Sequence, residues 1–567
     1  APIDAATGLP VPTIAVATDG GVSVIKDDGT VISGTAGSGY PITKIDIFST
    51  GELYFAMGTT NCGICYNYPY TRISGVDIST FANSTTFWYT TDAVGNNSSY
   101  LGSSGVPVTD IASKYDSIAI ATTTGLTKVD VNQNSVNNGA SAYITSDYNT
   151  GWMNGDIKLA TLSDTDATNA VGTELITNGT FDSSTTGWSS PGTATLSVVS
   201  SALRVTNIST NGRAQSAAFV TIPGETYVVT ATGVNRTSGS YYLEVRSGVE
   251  SSDSWASGSM QRTFVAVQST TLIELYALGA AGIYAEYDNV SVRIAEADRS
   301  VNVRGLQVFG TITKTAVATG ADLVAYSGWS ASNYLQQPYN SGIMVGTNGF
   351  CVVGWYNQNS VTPTTQPVVF SICSASEPNK RLQCAIADDN RIVLWTENSG
   401  SSFAASYDLG EEDSAWHCVS FIRQQNGKIM LYRDGVELAL SSDSSPGTVQ
   451  DISWTDAVTR IGTPIVDSSR SFNGSLALWR ISATAPSAAQ IAKIYNDEKF
   501  LFQENAKATL YGASDAVTAL AYDDDTELLH VGTSAGRSVF QGLRRINNTA
   551  TAVTTAISAN KGMVVEQ

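Results

Sequence analysis

The sequence is poor in charge, in histidine and in long apolar runs, and each shortage removes a class of protein. Only 14% of its residues are Asp, Glu, Lys or Arg, and Lys, Glu and Leu are scarce for a helical chain. Two histidines, His417 and His530, stand in 567 residues, which leaves little from which to build a histidine-based catalytic or metal constellation. No stretch approaches the roughly 18 apolar residues of a membrane-crossing helix. Of the six cysteines, Cys62 and Cys65 form a lone C-x-x-C, and Cys351, Cys373, Cys384 and Cys418 are scattered. Zinc would require a second pair or nearby histidines, so none is expected, and the four later cysteines are expected to be small buried apolar residues. The chain opens APIDAATGLP, with no initiator Met, basic region or apolar signal core. It is therefore expected to be a processed product or a piece of something longer.

What is present points to sheets. Thr, Ser, Gly, Val and Ala dominate, with 25 Tyr and 10 Trp, and β-branched and aromatic residues suit pleated strands. Apolar residues make up 42% of the chain, enough for several cores, and the length favours three or four domains. The expectation is an all-β protein. With 31 basic against 50 acidic side chains the formal charge is −19. Such a surface repels phosphate backbones and anionic membranes, which excludes nucleic acid as a partner and membrane insertion as a habit. It keeps large β proteins apart in solution and offers carboxylates to calcium.

A repeat runs through the ends of the chain. Residues 13–25 (TIAVATDGGVSVI), 42–60 (ITKIDIFSTGELYFAMGTT), 108–129 (VTDIASKYDSIAIATTTGLTKV) and 517–539 (VTALAYDDDTELLHVGTSAGRSV) share one order. An alternating strand and a polar turn lead to a strand ending in Ala/Gly-Thr, and a Gly-containing turn follows. Small residues alternating with branched ones suit strands near a crowded axis. The pattern predicts a β-propeller with four or five visible blades, its first part over 1–165 and its closing part over 505–567. MNGDIKLATL (153–162) is expected to be an inner strand and AKATLY (506–511) its continuation. The tail KGMVVEQ is expected to pair with the N-terminal segment and close the ring.

The first interruption, 172–297, opens ELITNGTFDSSTTGWSS and ends IYAEYDNVSVRI, with alternating strands and turns between, as in a β-sandwich. Glu174, Asn178, Gly179, Phe181, Asp182, Gly187 and Trp188 in the opening, and Asp288, Asn289 and Val290 in the close, give the segment a pattern that resembles carbohydrate-binding modules of families 4 and 9. The resemblance implies a structural Ca²⁺ with Glu174 and Asp288 as side-chain ligands, the alternative being that both only hydrogen-bond the end of the sandwich. Sugar binding needs exposed rings. Tyr241, Tyr242 and Trp255 are the candidates, each in competition with an ordinary place in the core, and Trp188 is expected in the core.

The second interruption, 318–500, carries a run from Phe350 to Trp355, Trp416-His417-x-Val419, Tyr432-x-Asp434-Gly435, Ile461-Gly462 and Phe472-Asn473-Gly474. Asn426-Gly427 marks a hairpin. This set resembles the laminin-G, concanavalin A-like jelly roll, and it implies a structural place for His417. The acidic residue that the family often carries near Ala477 is missing. Pro486 and a Ser487-x-x-Gln490 capping box announce one helix, with Ile491, Ile494 and Tyr495 on one face, expected to pack the jelly roll onto the propeller.

No sialidase-type S-x-D-x-G-x-x-W repeat, G-x-S-x-G or H-E-x-x-H is present, so no catalytic residues are named. Asp523-Asp524-Asp525 is expected to be a solvated turn. The phrases TGWMNGDIKLATLSDT, AAQIAKIYNDEKFLFQENAKATLYG and AVTALAYDDDTELLHVGTSAGRSVF resemble tail-associated structural proteins of marine bacteriophages. That resemblance implies a non-enzymatic virion protein acting outside the host. Its partners would be host cell-surface glycans and other virion proteins, and it would be a homo-oligomer on a particle. The alternatives are a secreted propeller-type glycoside hydrolase with accessory modules and a purely structural virion component.

Overall fold

The computed structural model describes residues 3, 8, 11, 13–35, 41–47, 52–59, 62–69, 87–89, 108–114, 117–130, 140–147, 149–154, 170–248, 250–295, 305–337, 339–358, 366–387, 391–409, 414–444, 449–553, 556–559 and 563–566. The chain is nearly all β, and its sheets are antiparallel. Two compact units emerge: Ala1–Thr165, Asp298–Gln307 and Ile312–Gln567 in the first, Asp166–Ala297 with Val308–Thr311 in the second.

In the first unit the sequence repeat becomes a series of small sheets. Ile14–Thr18, Gly21–Ile25 and Val31–Thr35 form one; Ile42–Ile47, Glu52–Thr59, Cys62–Pro69 and Phe87–Tyr89 a second. Val108–Lys114, Ser117–Thr122, Leu126–Asp130, Ala140–Ile144 and Met153–Asn154 form a third, and Val517–Asp523, Leu528–Thr533, Gly536–Gln541 and Arg544–Thr549 a fourth. Neighbouring sheets meet through their leading strands: Ile14–Thr18 adjoins Ile42–Ile47, which adjoins Val108–Lys114, which adjoins Val517–Asp523. Chain segments from opposite ends of the sequence are thus joined, with Thr109 Oγ1 donating to Val517 O (2.6 Å) and Leu520 N to the Asp110 carboxylate (2.7 Å).

Three of these sheets repeat one turn at atomic detail. Thr18, Thr122 and Thr533 each donate a hydroxyl to the carbonyl of the glycine three residues on, Gly21, Gly125 and Gly536. Each hydroxyl also accepts a backbone N–H from within its turn. Gly21 and Gly536 have φ of 138° and 145°, open to glycine and closed to residues with a Cβ. At Gly536 an added Cβ would lie 2.1 Å from Thr549 O. The Ala/Gly-Thr ending of the repeat is therefore the first half of a threonine-locked hairpin.

Two strand expectations change. Met153–Asn154 is the last strand of its sheet, paired with Ala140–Ser141, not an inner strand. Asn149 and Gly151 (φ 66°) turn the chain back on itself there, and residues 155–162 lie outside the described residues. The tail strand Met563–Glu566 pairs with the adjacent Ala556–Ala559, and most of the N-terminal segment that it was expected to meet lies outside the described residues. Residues 506–511 form no strand. They are held by an isolated bridge between Lys507 and Arg545 and by Asp322, whose carboxylate accepts from Lys507, Ala508 N and Thr509.

The jelly roll of the first unit packs two sheets. The narrower one orders Thr313–Ala316, Val324–Ser327, Gly474–Ser482, Phe350–Gln358, His417–Arg423, Ile429–Arg433 and Val436–Glu437; the broader one includes Tyr334–Gln337, Ala457–Ile461, Val368–Ser374, Lys380–Ala387, Arg391–Asn398 and Ser401–Asp408. Asn426-Gly427 makes the expected hairpin and Asp434-Gly435 the next turn. Cys351, Cys373, Cys384 and Cys418 are buried thiols, and burial pushes those of Cys351 and Cys373 up to about 12. Ala488–Glu498 is the expected helix, with its capping box formed in full and Ile491 and Ile494 buried. These two side chains join a single core that runs from Ala119, Ala142 and Trp152 through Trp355 and Leu478 to Leu520 and Phe540.

At the centre of that core lies a buried ion pair. Glu498 is 0% exposed, and its carboxylate accepts from Trp152 N (2.7 Å), Trp355 Nε1 (2.7 Å) and Arg480. Arg480 donates in turn to Trp152 O (2.8 Å) and Leu478 O (2.5 Å). The peptide of Trp152 is thus held from both sides by one ion pair. Gly151 must be glycine, since a Cβ there would sit 2.7 Å from the Glu498 carboxylate. Two outcomes follow for urea unfolding. Glu498→Gln lowers the stability of the first unit by about 3–5 kcal/mol, because Arg480 is left buried and uncompensated. Gly536→Ala costs about 1–3 kcal/mol, from strain at its φ and the clash with Thr549. An unchanged midpoint in either variant contradicts the packing described.

Candidate glycan-binding site

The second unit is a sandwich of two sheets. One runs Ala194–Val199, Ala202–Asn207, Tyr284–Ala295, Thr226–Arg236, Gly258–Val265; the other runs Trp188–Ser189, Gly212–Ser216, Thr270–Ala277, Tyr241–Arg246, Glu250–Trp255. Phe181 and Trp188 are buried against each other at 5.4 Å, and Trp188 Nε1 donates to Thr177 O, the expected core position.

Strand alternation then sorts the three candidate rings. Tyr241 points inward and is 3% exposed. Trp255 stacks on it at 5.5 Å, Tyr287 meets it edge-on and the Arg236 guanidinium lies 4.7 Å from its centroid. No free face remains for a sugar. Trp255 is half-buried in that stack, with its Nε1 bonded to Gly258 O. Tyr242 points outward and is half-buried, packed edge-to-face on Tyr276 at 5.2 Å.

Around Tyr242 the outward face carries a set of residues that the sequence reading missed. Tyr242 pairs across the strands with Tyr276, Glu244 with Glu274, and Arg213 and Gln215 with Tyr276 and Glu274. Like charges directly opposite each other are unfavourable in a sheet. Here Arg213 (3.1 Å) and Arg246 (3.4 Å) flank Glu274, and Arg246 also reaches Glu244 at 3.8 Å. The Arg213 contact is an ion pair without hydrogen-bond alignment at Nε. The Tyr276 hydroxyl lies 2.8 Å from Glu274 and 3.1 Å from Glu244; burial, then these two carboxylates, raise its pKa. The buried Tyr287 hydroxyl, from the opposite sheet, donates to Tyr276 O (2.5 Å) and accepts from Tyr242 N (3.1 Å), fixing both strands. The result is a ring bordered by two carboxylates and two guanidiniums on a rigid sheet. The signal was present in Tyr242-x-Glu244-x-Arg246 and Glu274-x-Tyr276, which alternation places on one face.

Glu174 and Asp288 are differently engaged. Glu174 accepts from Ile176 N (2.9 Å), Val292 N (2.9 Å), Ser291 (2.5 Å) and the Arg293 guanidinium (3.3 Å). Burial pushes its pKa up, and these donors outweigh that and bring it below the usual glutamate range. Asp288 accepts from the backbone and side chain of Asn289. A carboxylate already holding four donors, one of them cationic, does not fit a Ca²⁺ ligand. Among the described residues no group of three or more His, Cys, Asp or Glu is placed to hold a metal.

In the jelly roll, His417 Nδ1 lies 2.7 Å from Asp434, whose other oxygen accepts from Cys418 N. The pair stitches the Asp434-Gly435 turn to its neighbouring strand. On the broader sheet the outward row reads Gln336, Arg460, Ser371, Gln383, Trp395.

Residues 330–492 match the concanavalin A-like lectin/glucanases superfamily. This lectin-like domain is the jelly roll just described. No curated protein matches the chain. Among solved structures, the CBM40 of the Ruminococcus gnavus IT-sialidase bound to alpha2,3 sialyllactose is similar over 32% of this chain and 95% of its own, at 12% identity and a TM-score of 0.25. The CBM22-1-CBM22-2 tandem of Paenibacillus barcinonensis Xyn10C is similar over 56% and 99%, at 13% identity and a TM-score of 0.20. The botulinum neurotoxin serotype D binding domain is similar over 44% and 59%, at 13% identity and a TM-score of 0.28.

Two rings on one strand give opposite expectations. Tyr241→Ala opens a cavity and destabilises the sandwich by about 3–5 kcal/mol. Tyr242→Ala leaves thermal unfolding within about 1 kcal/mol of the parent and weakens glycan binding in calorimetry. Equal destabilisation of the two would remove Tyr242 from the site. Acid unfolding tests Glu174. Its folded pKa is depressed, so its contribution is complete above the ordinary glutamate value of 4.5 and is lost as pH falls through the lower folded value. Glu174→Gln removes that contribution. With Arg293 in the cation's place, EDTA leaves the unfolding of the sandwich unchanged.

Proposed function

We propose that this protein attaches a phage particle to host-surface glycans, as a non-enzymatic virion component of the tail-fibre or tail-tip kind. The observation that carries the reading is the lectin-type domain at 330–492. The outward aromatic and charged face of the second sandwich supports it. So do the acidic charge and the sequence resemblance to tail-associated proteins. We take the four small sheets as propeller blades that serve as a rigid base, tied to the lectin-like domain through Glu498 and Arg480. Single lectin sites are weak, and identical copies on one particle would gain by avidity.

One observation bears on the glycosidase reading. A cleft of about 460 Å³ in the first unit is lined by Asp130, Asp497 and Glu527, together with Trp152, Lys493 and Arg544. Glycosidases need one carboxyl protonated beside one ionised. Lys493 lies 2.6 Å from Asp497 and 3.6 Å from Asp130, so one lysine engages both carboxylates, which counts for binding without turnover.

The test is a glycan array probed with the full chain, beside a reducing-sugar assay on every glycan that binds. The expected result is retention of a restricted glycan set with no new reducing ends. Release of reducing ends overturns the non-enzymatic reading, and an array with no retained glycan leaves only a structural virion role.

A further inference from the structure

We propose that the outward face of the broader sheet in the lectin-like domain binds an acidic saccharide, one bearing carboxylate or sulfate groups. The proposal rests on the glycan-binding reading above and names the class of glycan.

Three arginines converge on this face. Arg381 pairs across the strands with Cys373 and Glu397, and the neighbouring row holds Gln383, Trp395 and Arg460. Arg470, from the segment after Ala457–Ile461, reaches over the same row to Gln383 Oε1 at 3.0 Å and to Gln366 O at 2.8 Å. Each guanidinium is oriented before any ligand arrives. Arg381 forks onto Glu397 at 2.9 and 2.8 Å and lies 4.4 Å from the Trp395 centroid. Arg460 lies 3.8 Å from the Tyr334 centroid, with Nε bonded to Gln336 at 2.7 Å.

The charge on this face is unbalanced. Among the described residues only Glu397 pairs with any of the three arginines, and neither Arg460 nor Arg470 has a carboxylate within ion-pair distance. Three arginines stand against two carboxylates, Glu397 and the Asp467 whose charge reaches Arg470, a local positive excess in a protein of formal charge −19. Burial lowers the pKa of both Arg460 and Arg470, and the neighbouring Arg381 adds repulsion at Arg470. Like charges half-withdrawn from water cost stability, and an anion between them would recover it.

The remaining polar capacity points the same way. Gln383 is 1% exposed. Its Nε2 has no hydrogen-bond partner among the described residues beyond a weak one in the Cys373 sulfur, and Trp395 Nε1 has none. Among the described residues the buried unmet groups on the face are donors, an amide and an indole, beside the guanidinium nitrogens. A neutral sugar brings hydroxyls that must donate as well as accept. A carboxylate or sulfate only accepts, and the fork of arginine matches its paired oxygens. The rings of Trp395 and Tyr334 offer apolar edges beside this donor set for the sugar body.

The experiment uses the full chain in isothermal titration with oligogalacturonate, heparin oligosaccharides and cello-oligosaccharides, supplying carboxylate, sulfate and no charge. The expected result is binding of one or both acidic ligands, weakened by added NaCl, with no comparable binding of the neutral one. Arg460→Gln and Arg470→Gln each reduce that affinity by about tenfold or more. Arg470→Lys, which keeps the charge and loses the fork, does not restore it. The proposal is overturned if acidic ligands bind no better than the neutral one, or if both glutamine variants fold and keep parental affinity. Should either variant fail to fold, thermal unfolding of the parent decides, since oligogalacturonate or heparin must raise the midpoint and cello-oligosaccharide must not. Neutral binding alone would sink this proposal and spare the glycan-binding reading, whereas the absence of any glycan ligand would end both.

Discussion

The first unit is organised around one carboxylate that has no access to water. Glu498 closes the helix Ala488–Glu498, and its two oxygens take donors from the turn at Trp152 and from two adjacent central strands of the jelly roll's narrower sheet, through Trp355 and Arg480. Burying such a pair is expensive, so it persists only where every lone pair and proton is met. Here the peptide of Trp152 does that, giving its N–H to Glu498 and its carbonyl to Arg480. Directionality is what the arrangement adds. An apolar contact would tolerate sliding of the helix along the sheet, whereas this one permits a single register. Trp355 extends the constraint, stacked on Phe502 at 4.1 Å and on Tyr495 at 5.7 Å.

The turn at Asn149 to Trp152 carries the same constraint to the end of the chain. Asn149 accepts from Gly151 N and donates to Ala508 O and Leu543 O. One four-residue turn therefore touches the sheet that precedes it, the helix, the jelly roll and the sheet that closes the chain. A domain inserted between two halves of a sheet assembly needs such a tie, because the connecting segments alone leave its orientation free. Segments distant in sequence are made interdependent by side chains that bond backbone.

How much of this was legible in the sequence depended on whether the signal was local. The capping box at Ser487 and Gln490, the Asn426-Gly427 hairpin, the core place of Trp188 and the all-β character follow from spacing and composition, and they appear as expected. The repeat was legible down to its threonine, though not to the reason for it, the lock on the following glycine. Partners were not legible. Met153 looks like any strand residue, and the reversal at Gly151 that makes it a terminal strand depends on Glu498, almost 350 positions away. The same blindness affects the site. Tyr241 and Tyr242 are indistinguishable by type, and the strand alternation that buries one and exposes the other becomes decisive only when the core side is known.

The two sandwiches solve the same problem with opposite polarity. On the second unit, Glu244 and Glu274 face each other and are compensated by Arg213 and Arg246, so that face is neutral and its Tyr276 hydroxyl is held by carboxylates. On the lectin-like domain, Glu397 pairs with one of three arginines, and the buried unmet groups beside them are donors. A face with spent charges and available ring edges selects by shape and hydroxyl pattern. A face with unspent positive charge selects by anion. The two faces therefore differ in what they leave unspent, ring edges on the first and positive charge on the second.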